Sequence, residues 1–329
     1  MRSFGVQLAG TGSYVPARVL GNAELERIVD TTDEWITTLT GIRERHIAAP
    51  EEATSDMAAA AARQALEAAG MRPEELDLII VPTLTPDQPL PNTACFVQKK
   101  LGAANAACFS IEAACSGFIY GLEIGASLVR SGAHKNVLIA AAEKLSALTD
   151  YTDRTTCVLF GDGAGAVVLR QVPAAEDCFM ASHIGADGSY TDLLQVPAGG
   201  TAMPITHERL DQKLHLIKME GREVFKLAVN AMVSAANTTL AEAGIGIEQV
   251  RWLIPHQANT RIIDGVGKRL GLGEDRVYVN IARYGNTSAA SIPLALDELV
   301  RKGLVRRGEY VLMVAFGGGL TWGAALIRW

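Results

Sequence analysis

The sequence predicts an α/β fold built from two duplicated halves. Residues 61–83 and 235–257 align without a gap, and each has the pattern of a helix, a glycine stop, a short turn and an apolar strand. Residues 128–143 and 299–316 both pair a helix end with an apolar strand, and the second copy has three extra residues. Helices that alternate with apolar strands are typical of sheets covered on both faces.

The length and composition of the chain fit this class of protein. It has 329 residues, 49% of them hydrophobic, which is enough for a large core. We place the boundary between the halves at residues 1–172 and 173–329. Because no Pro/Gly/Ser-rich linker marks this point, we expect the halves to pack tightly.

Charge, hydropathy and cysteine usage exclude several classes of protein. The net charge of −6 gives no global attraction to nucleic acid or to an acidic membrane surface. No apolar run approaches about 18 residues, and the N-terminus lacks a signal-peptide pattern, so we expect a cytoplasmic protein without a membrane segment. The five cysteines have no CxxC spacing, so we expect neither a disulfide framework nor a metal site.

A single thiol, Cys115, stands at the predicted start of a helix within residues 111–132. Free N–H groups and the helix dipole at such a position are expected to lower the pKa of the thiol. Glycines at 117, 121 and 125 follow, and each costs about 0.8–1 kcal/mol relative to alanine in a helix. Their spacing of four puts them on one face, where we expect another backbone to approach closely.

The repeat connects this cysteine with two distant residues. Residue 128 matches residue 299, an offset of 171, and the same offset carries Cys115 onto Asn286, which also precedes an apolar helix. The other pair has an offset of 174, which carries Pro82 onto His256, just past a strand end. Sites in α/β proteins often lie beyond strand ends, so we predict one pocket that holds Cys115, His256 and Asn286.

Such a pocket suits covalent catalysis. The thiolate of Cys115 would be the nucleophile, and His256 and Asn286 would both donate to one developing oxyanion. Each residue alone also fits a structural role, as a core thiol, a structural histidine and a helix cap. The shared register favours catalysis, and no carboxylate stands in these motifs to act as a base.

Two glycine-rich segments follow predicted strands. Residues 161–166, "GDGAGA", lack the lysine and Ser/Thr of a phosphate loop, so we predict a tight turn between close-packed strands. In residues 316–323, "FGGGLTWG", the glycines would bring backbone N–H groups close to a ligand. Gly318 is therefore a candidate oxyanion donor beside the N–H of Cys115.

The motifs "EAACSGF", "PHQANTRI", "YGNTSAASIP" and "AFGGGLTWGAAL" resemble those of the β-ketoacyl-acyl-carrier-protein synthase III family. These enzymes initiate type II fatty acid synthesis. The segment "TTDEWITTLTGIRERHIA" is also similar, and the resemblance spans nearly the whole chain. It implies the thiolase fold, a five-layered αβαβα arrangement of two duplicated halves, and a homodimer.

The implied reaction is a decarboxylative Claisen condensation without a cofactor beyond the CoA thioester substrate. Cys115 would be acylated by an acyl-CoA and then attacked by the carbanion that malonyl-acyl carrier protein forms on losing CO2. His256 and Asn286 would stabilise the enolate, while the backbone N–H groups of Cys115 and Gly318 hold the oxyanion on the acyl side. Phe316 would crowd the malonyl carboxylate.

The resemblance also implies binding residues for CoA. Trp35 matches a tryptophan that stacks on the adenine of CoA, and Arg154 matches its basic partner. Leu39 stands where the family often has a second arginine, so one charge-assisted contact is missing and weaker CoA binding is expected.

Acyl-pocket and carrier-protein positions carry over in the same way. Leu145 and Phe225 match positions in the acyl pocket or the tunnel wall, and Leu90 matches one that reaches into the partner subunit's pocket. Leucine is smaller than the phenylalanine common there, so a longer or branched primer is expected. Because acyl carrier protein is acidic, we expect a basic patch at the pocket mouth, formed by Arg261, Lys226, Lys268 and Arg269.

Two other functions remain open from the sequence. A starter-unit ketosynthase or acyltransferase of secondary metabolism would have the same three residues. A Cys-His-Asn thioester hydrolase would break the acyl-enzyme down with water and form no carbon–carbon bond. Thiolase itself is disfavoured because no second cysteine follows Cys178, and hydroxymethylglutaryl-CoA synthase because a glutamate base is missing.

Overall fold

The computed structural model describes residues 4–329. Its strands are β1 (Phe4–Tyr14), β2 (Arg18–Gly21), β3 (Glu44–Ile47), β4 (Leu78–Pro82), β5 (Ala107–Ile111), β6 (Asn136–Glu143), β7 (Gly163–Pro173), β8 (Phe179–Ala186), β9 (Leu194–Gln195), β10 (Lys218–Met219), β11 (Val250–Pro255), β12 (Tyr310–Gly317) and β13 (Thr321–Arg328). Its helices are α1 (Asn22–Leu25), α2 (Asp33–Thr40), α3 (Thr54–Ala69), α4 (Thr93–Leu101), α5 (Gly117–Arg130), α6 (His207–Asp211), α7 (Gly221–Ala243), α8 (Thr260–Arg269), α9 (Ile281–Tyr284) and α10 (Ser291–Arg301).

Two large sheets repeat one topology. The first has the order β1-β7-β6-β4-β5 and the second the order β8-β13-β12-β11. In each sheet, the first two pairings in this order are antiparallel and the third pairing is parallel. This agrees with the predicted duplication. Strand β7 runs to Pro173, one residue past the boundary placed at 172/173, which stays a prediction.

The side chains of each strand alternate between two apolar layers, because successive residues of a strand point to opposite faces. In β6, Val137 and Ile139 face a central core that α5 and α10 share with both sheets. Leu138 and Ala140 face an outer core under α3 and α4. Helices α7 and α8 cover the outer face of the second sheet. The five layers αβαβα are therefore confirmed.

The repeated helix ends also form as predicted. Helix α3 stops at Gly70, with φ of 60°, and α7 stops at Gly244, with φ of 66°. Glycine adopts this left-handed conformation without a steric penalty, so it ends both helices just before the turn into β4 and β11. In each half, the strand after this turn ends in a proline, Pro82 in β4 and Pro255 in β11.

The glycines of α5 make room for side chains and not for a backbone, which corrects the prediction. A Cβ on Gly121 or Gly125 would lie 3.1 Å from the side chain of Ile139. The close backbone approach is at Gly165 in β7, where a Cβ would lie 2.6 Å from the backbone nitrogen of Leu294 in α10. Part of the "GDGAGA" segment is therefore strand packed on a helix, and the predicted tight turn is wrong there.

Among residues 4–329, no helix has the length and apolar character needed to cross a lipid bilayer.

Candidate active site

Cys115 lies in a 3-10 turn, Ala114–Ser116, that leads directly into α5. Its side chain is buried, and Ala114 before it has a positive φ of 45°. The end of β12 passes so closely that a Cβ on Gly317 would lie 2.6 Å from the backbone nitrogen of Cys115. Only glycine fits there, so the thiol of Cys115 is held between a helix start and a strand end.

The predicted equivalence of Cys115 and Asn286 is wrong by three residues. Helix α5 begins at Gly117 and α10 at Ser291, an offset of 174, so the counterpart of Cys115 is Ala289. Helix α10 has 11 residues and α5 has 14, so an offset measured at the helix ends does not hold at their starts. Asn286 lies three residues before Ala289, the counterpart of Cys115, and still lines the site.

His256 follows β11 and is fixed by its neighbours. Its backbone N–H donates to the carbonyl of Val314 at 2.8 Å, and its Nδ1 lies 2.7 Å from the hydroxyl of Ser291. That hydroxyl oxygen also accepts the N–H of Gln257 at 3.4 Å. We therefore assign the Ser291 proton to the bond with Nδ1, which leaves the imidazole proton on Nε2. Burial lowers the pKa of His256 to about 3, so the ring is a neutral donor.

Asn286 is held by its backbone and by one side-chain bond. Its N–H donates to the carbonyl of Leu159 at 2.9 Å, and its carbonyl accepts the N–H of Gly161 at 3.0 Å. The side-chain oxygen accepts the N–H of Ser288 at 2.8 Å. This bond orients the amide, so its NH2 group is the part available for donation.

One cavity of about 670 Å³ brings Cys115, His256 and Asn286 together, as predicted. We call it the outer cavity. A second space of about 390 Å³, which we call the inner cavity, also reaches Cys115. Cys115 and Phe160 line both, so the thiol stands where the two cavities meet.

The two cavities divide the predicted acyl-side residues. Leu145 and Gly318 line the inner cavity, whereas Phe225 and Phe316 line the outer one. Leu90 lines neither cavity of its own chain, and its side chain is 83% exposed. Of the two positions predicted for Phe225, the tunnel wall therefore fits better than the acyl pocket.

The two predicted CoA-binding residues lie in contact, and Trp35 lines the outer cavity. The guanidinium of Arg154 stands over the Trp35 ring at 4.6 Å from its centroid. Arg154 also donates to the backbone carbonyl of Asp30 at 3.1 Å. The Thr32 hydroxyl caps α2 by accepting the backbone N–H of Trp35, so Trp35 lies on the first turn of the helix. Leu39 lines the same cavity one helical turn later.

The predicted basic residues separate into two groups. Arg261 and Lys226 line the outer cavity, and Arg222 stands with them although the sequence analysis missed it. Lys268 and Arg269 do not line this cavity, and Arg269 donates to the side chain of Asn230. The basic rim of the cavity is therefore Arg222, Lys226 and Arg261.

The thiol of Cys115 is not activated in the resting structure. Burial raises its pKa to about 12, and the charges of Glu143 and Glu112 raise it further, while the Ser288 hydroxyl lowers it. The sequence predicted a lowered pKa from the helix start alone. A buried site without ligand desolvates the thiolate more strongly than one helix start stabilises it.

Three residues near the site were missed by the sequence analysis: Ser288, Ser291 and Glu143. Glu143 had a signal, because it ends the apolar strand β6 and a buried carboxylate there needs several donors. The two serines had none, since serines at a helix start are ordinary. Among residues 4–329, no three His, Cys, Asp or Glu side chains cluster as metal ligands would.

Comparison with known proteins places this chain in one family. Residues 109–188 match the family model described as 3-oxoacyl-[acyl-carrier-protein (ACP)] synthase III, and residues 240–329 match the model of its C-terminal part. A β-ketoacyl-[acyl-carrier-protein] synthase III of Caldanaerobacter subterraneus subsp. tengcongensis is 54% identical over 98% of this chain and 97% of its own length.

Solved structures agree with the thiolase fold that the resemblance implies. The 3-oxoacyl-[acyl-carrier-protein] synthase III of Aquifex aeolicus has a TM-score of 0.91 at 50% identity, covering 99% of this chain and 100% of its own. A priming β-ketosynthase from a polyketide biosynthetic pathway has a TM-score of 0.91 at 39% identity, covering 98% of this chain and 96% of its own.

Proposed function

Since this chain belongs to the 3-oxoacyl-[acyl-carrier-protein] synthase III family, we propose that Cys115, His256 and Asn286 carry out its condensation reaction. The chain is an acyltransferase of fatty acid biosynthesis that joins an acyl-CoA primer to malonyl-acyl carrier protein. One observation carries the assignment of these residues. The nucleophile and two neutral donors face a single cavity, and a second cavity also reaches the nucleophile.

In the first half-reaction, the sulfur of Cys115 attacks the carbonyl carbon of the acyl-CoA thioester. The C–S bond to CoA then breaks, CoA leaves, and the acyl chain occupies the inner cavity against Leu145. The backbone N–H groups of Cys115 and Gly318 hold the oxyanion of the tetrahedral intermediate. Because the inner cavity measures about 390 Å³, it accepts a short acyl chain.

In the second half-reaction, the malonyl thioester oxygen accepts hydrogen bonds from Nε2 of His256 and the amide of Asn286. Loss of CO2 leaves its electron pair in an enolate, whose negative charge these donors stabilise. The enolate carbon attacks the acyl carbonyl on Cys115, and the sulfur leaves as the 3-oxoacyl product forms. Phe316 offers the malonyl carboxylate no hydrogen bond, which favours its loss as neutral CO2.

The rim of the outer cavity suits both carriers. The adenine of CoA inserts beside the Trp35 ring and the Arg154 guanidinium, an aromatic face and a cation 4.6 Å apart. Arg261 and Lys226 attract acidic acyl carrier protein, with Lys268 and Arg269 further from the mouth. This arrangement delivers both substrates through one opening.

The assembly and compartment complete the proposal. The chain forms a homodimer in which Leu90 reaches the partner's inner cavity, and its 83% exposure within one chain leaves it available for that contact. Five free cysteines fit a reducing cytoplasm. Size-exclusion chromatography with light scattering tests the dimer, and a monomer would contradict it.

The experiment is product analysis by mass spectrometry. Wild-type protein with acetyl-CoA and malonyl-acyl carrier protein is expected to give a 3-oxoacyl-acyl carrier protein, and Cys115→Ala none. Acyl-enzyme breakdown to free acid without this product would favour a thioester hydrolase. A series of straight and branched acyl-CoAs then tests the primer, and strict acetyl preference would contradict a role for Leu90 in accepting longer chains.

A further inference from the structure

Arg45 is a buried arginine that the reaction described above does not use. It lies in β3, and its side chain has no exposed surface. Among the salt bridges within residues 4–329, none involves Arg45, and its Nε is buried there without a hydrogen-bond partner. A buried cation without a counter-ion is costly to the fold, and natural proteins accept such costs mainly at functional sites.

The guanidinium of Arg45 joins two parts of the chain through neutral acceptors. Its Nη1 donates to the backbone carbonyl of Leu20 at 3.0 Å and to the side-chain oxygen of Asn22 at 2.8 Å. Its Nη2 donates to the backbone carbonyl of Val158 at 2.6 Å. We call residues 158–161 the wall segment. Because Leu20 lies in β2, which pairs with β3, Arg45 fastens the wall segment to this two-stranded sheet.

The wall segment in turn holds the backbone of Asn286. The N–H of Asn286 donates to the carbonyl of Leu159 at 2.9 Å, and the N–H of Gly161 donates to the carbonyl of Asn286 at 3.0 Å. Phe160, which lies between these two residues, pairs with Asn286 in a parallel bridge. Val158, Leu159 and Phe160 also line the outer cavity together with Asn286. The position of this amide therefore depends on the segment that Arg45 holds.

The aliphatic part of Arg45 packs against the same backbone. A Cβ on Gly161 would lie 3.0 Å from the Cβ of Arg45, and a Cβ on Gly285 would lie 3.2 Å from it. Gly285 directly precedes Asn286 and has a φ of 64°. Arg45 therefore contacts both the wall segment and the residue before Asn286, so a shift of its side chain would reach Asn286 from two sides.

We propose that Arg45 is a positioning residue for the condensation reaction, which fixes the wall segment and thereby the amide of Asn286 that donates to the enolate. This inference rests on the proposed function of Asn286. The planar fork of an arginine can bond to β2 and to the wall segment at once, whereas a lysine keeps the charge but has a single ammonium group. A donor that is displaced by a fraction of an ångström stabilises the enolate less well.

The test is a double-mutant cycle on the decarboxylation of malonyl-acyl carrier protein. Arg45→Lys, Asn286→Ala and the double variant are each made with Cys115→Ala, so that acylation plays no part, and release of CO2 is measured. We expect Arg45→Lys to slow decarboxylation about 10-fold when Asn286 is present. In the Asn286→Ala variant the same change should cost less than about 2-fold, because the amide that Arg45 positions is then absent.

Arg276→Lys is the matched control. Its guanidinium also donates to backbone carbonyls, those of Ile247, Glu248 and Val250. Arg276 lines neither the outer nor the inner cavity. We expect Arg276→Lys to lower the free energy of unfolding in urea and to leave decarboxylation near the rate of its parent.

The cycle separates positioning from simple stability. A residue that only stabilises the fold acts independently of Asn286, so an equal loss from Arg45→Lys in both backgrounds, or no loss in either, would overturn the proposal. If Arg45→Lys does not fold, Arg45→Gln takes its place in the same cycle, since it removes the buried charge and keeps an amide donor. If Asn286→Ala alone leaves decarboxylation unchanged, the proposed function of Asn286 fails instead.

Discussion

The starts of α5 and α10 have the same backbone but different chemistry. Each follows a 3-10 turn whose first residue has a positive φ, 45° at Ala114 and 48° at Ser288. The second residue of the turn is Cys115 in one and Ala289 in the other. The duplicated fold thus offers the same position twice, and only one copy carries a thiol.

The strand ends differ in the complementary way. The first sheet contributes Pro82 at the end of β4, while the second contributes His256 just past β11. Conversely, β6 ends in Glu143, whereas β12 ends in Gly317. In the proposed mechanism the nucleophile therefore comes from the first half, whereas both donors to the enolate, and the Gly318 N–H that serves the acyl side, come from the second.

The largest expected effect tests this division directly. His256→Ala should slow decarboxylation of malonyl-acyl carrier protein about 10²–10³-fold, as does loss of one oxyanion donor, and change acetylation of Cys115 far less. Asn286→Ala should act alike. Since burial lowers the pKa of His256 to about 3, the ring stays neutral, and wild-type decarboxylation should show no histidine titration between about pH 5 and pH 8. Release of CO2 and intact mass measure the two steps, and equal losses would remove the division.

A stability pair compares how the two central helices meet the sheets. Gly165→Ala should destabilise the fold by about 1–3 kcal/mol, because its Cβ would meet the α10 backbone at Leu294. Gly125→Ala in α5 is the control, since it meets flexible side-chain ends at 3.1 Å and gains helix propensity of up to about 1 kcal/mol. Urea denaturation measures the free energy of unfolding of both variants, and an equal loss in the two would contradict the predicted difference between the helices.

Ser291 is the position in α10 that corresponds to Gly117 in α5. Ser291→Ala should slow decarboxylation about 10-fold, because the His256 ring loses the bond that fixes its tautomer. Nitrogen NMR of labelled histidine should show a shift away from the Nε2-protonated form. An unchanged tautomer would show that other contacts hold the ring.

Arg261 tests the carrier protein's approach from the second half. Arg261→Glu should raise the apparent KM for malonyl-acyl carrier protein several-fold at low salt and affect acetylation by acetyl-CoA less. Arg269→Glu is the matched control, since Arg269 lies on the same helix but does not line the cavity. Similar effects of the two variants would indicate that the net charge of the surface, and not a docking contact of Arg261, controls the KM.

Leu39 tests CoA binding in the first half and has the smallest expected effect. Leu39→Arg should lower the apparent KM for acetyl-CoA by about 2–5-fold, which is the range of one exposed ionic contact. Steady-state kinetics at two salt concentrations measure it. No improvement would mean that the missing arginine does not limit CoA binding.

Much of the fold and site was predictable because repeated patterns are local. Gly70 and Gly244 mark the same helix stop in both halves, and the motifs around Cys115 and His256 follow their strands directly. The offset of 171 gave the wrong counterpart for Asn286 because a helix length is set by packing, which shortens α10 relative to α5. The predicted lowering of the Cys115 pKa was wrong because burial of the thiol depends on the whole site.

The sequence by itself determined the duplicated α/β architecture, the family and the three side chains that line one cavity, since periodicity and motif spacing are written along the chain. Only the tertiary structure decided that Ser288 lines a cavity together with Cys115 and that the hydroxyl of Ser291 bonds to Nδ1 of His256. These contacts join residues 35 to 173 positions apart, and which side chains meet at such separations depends on how the two sheets pack around α5 and α10.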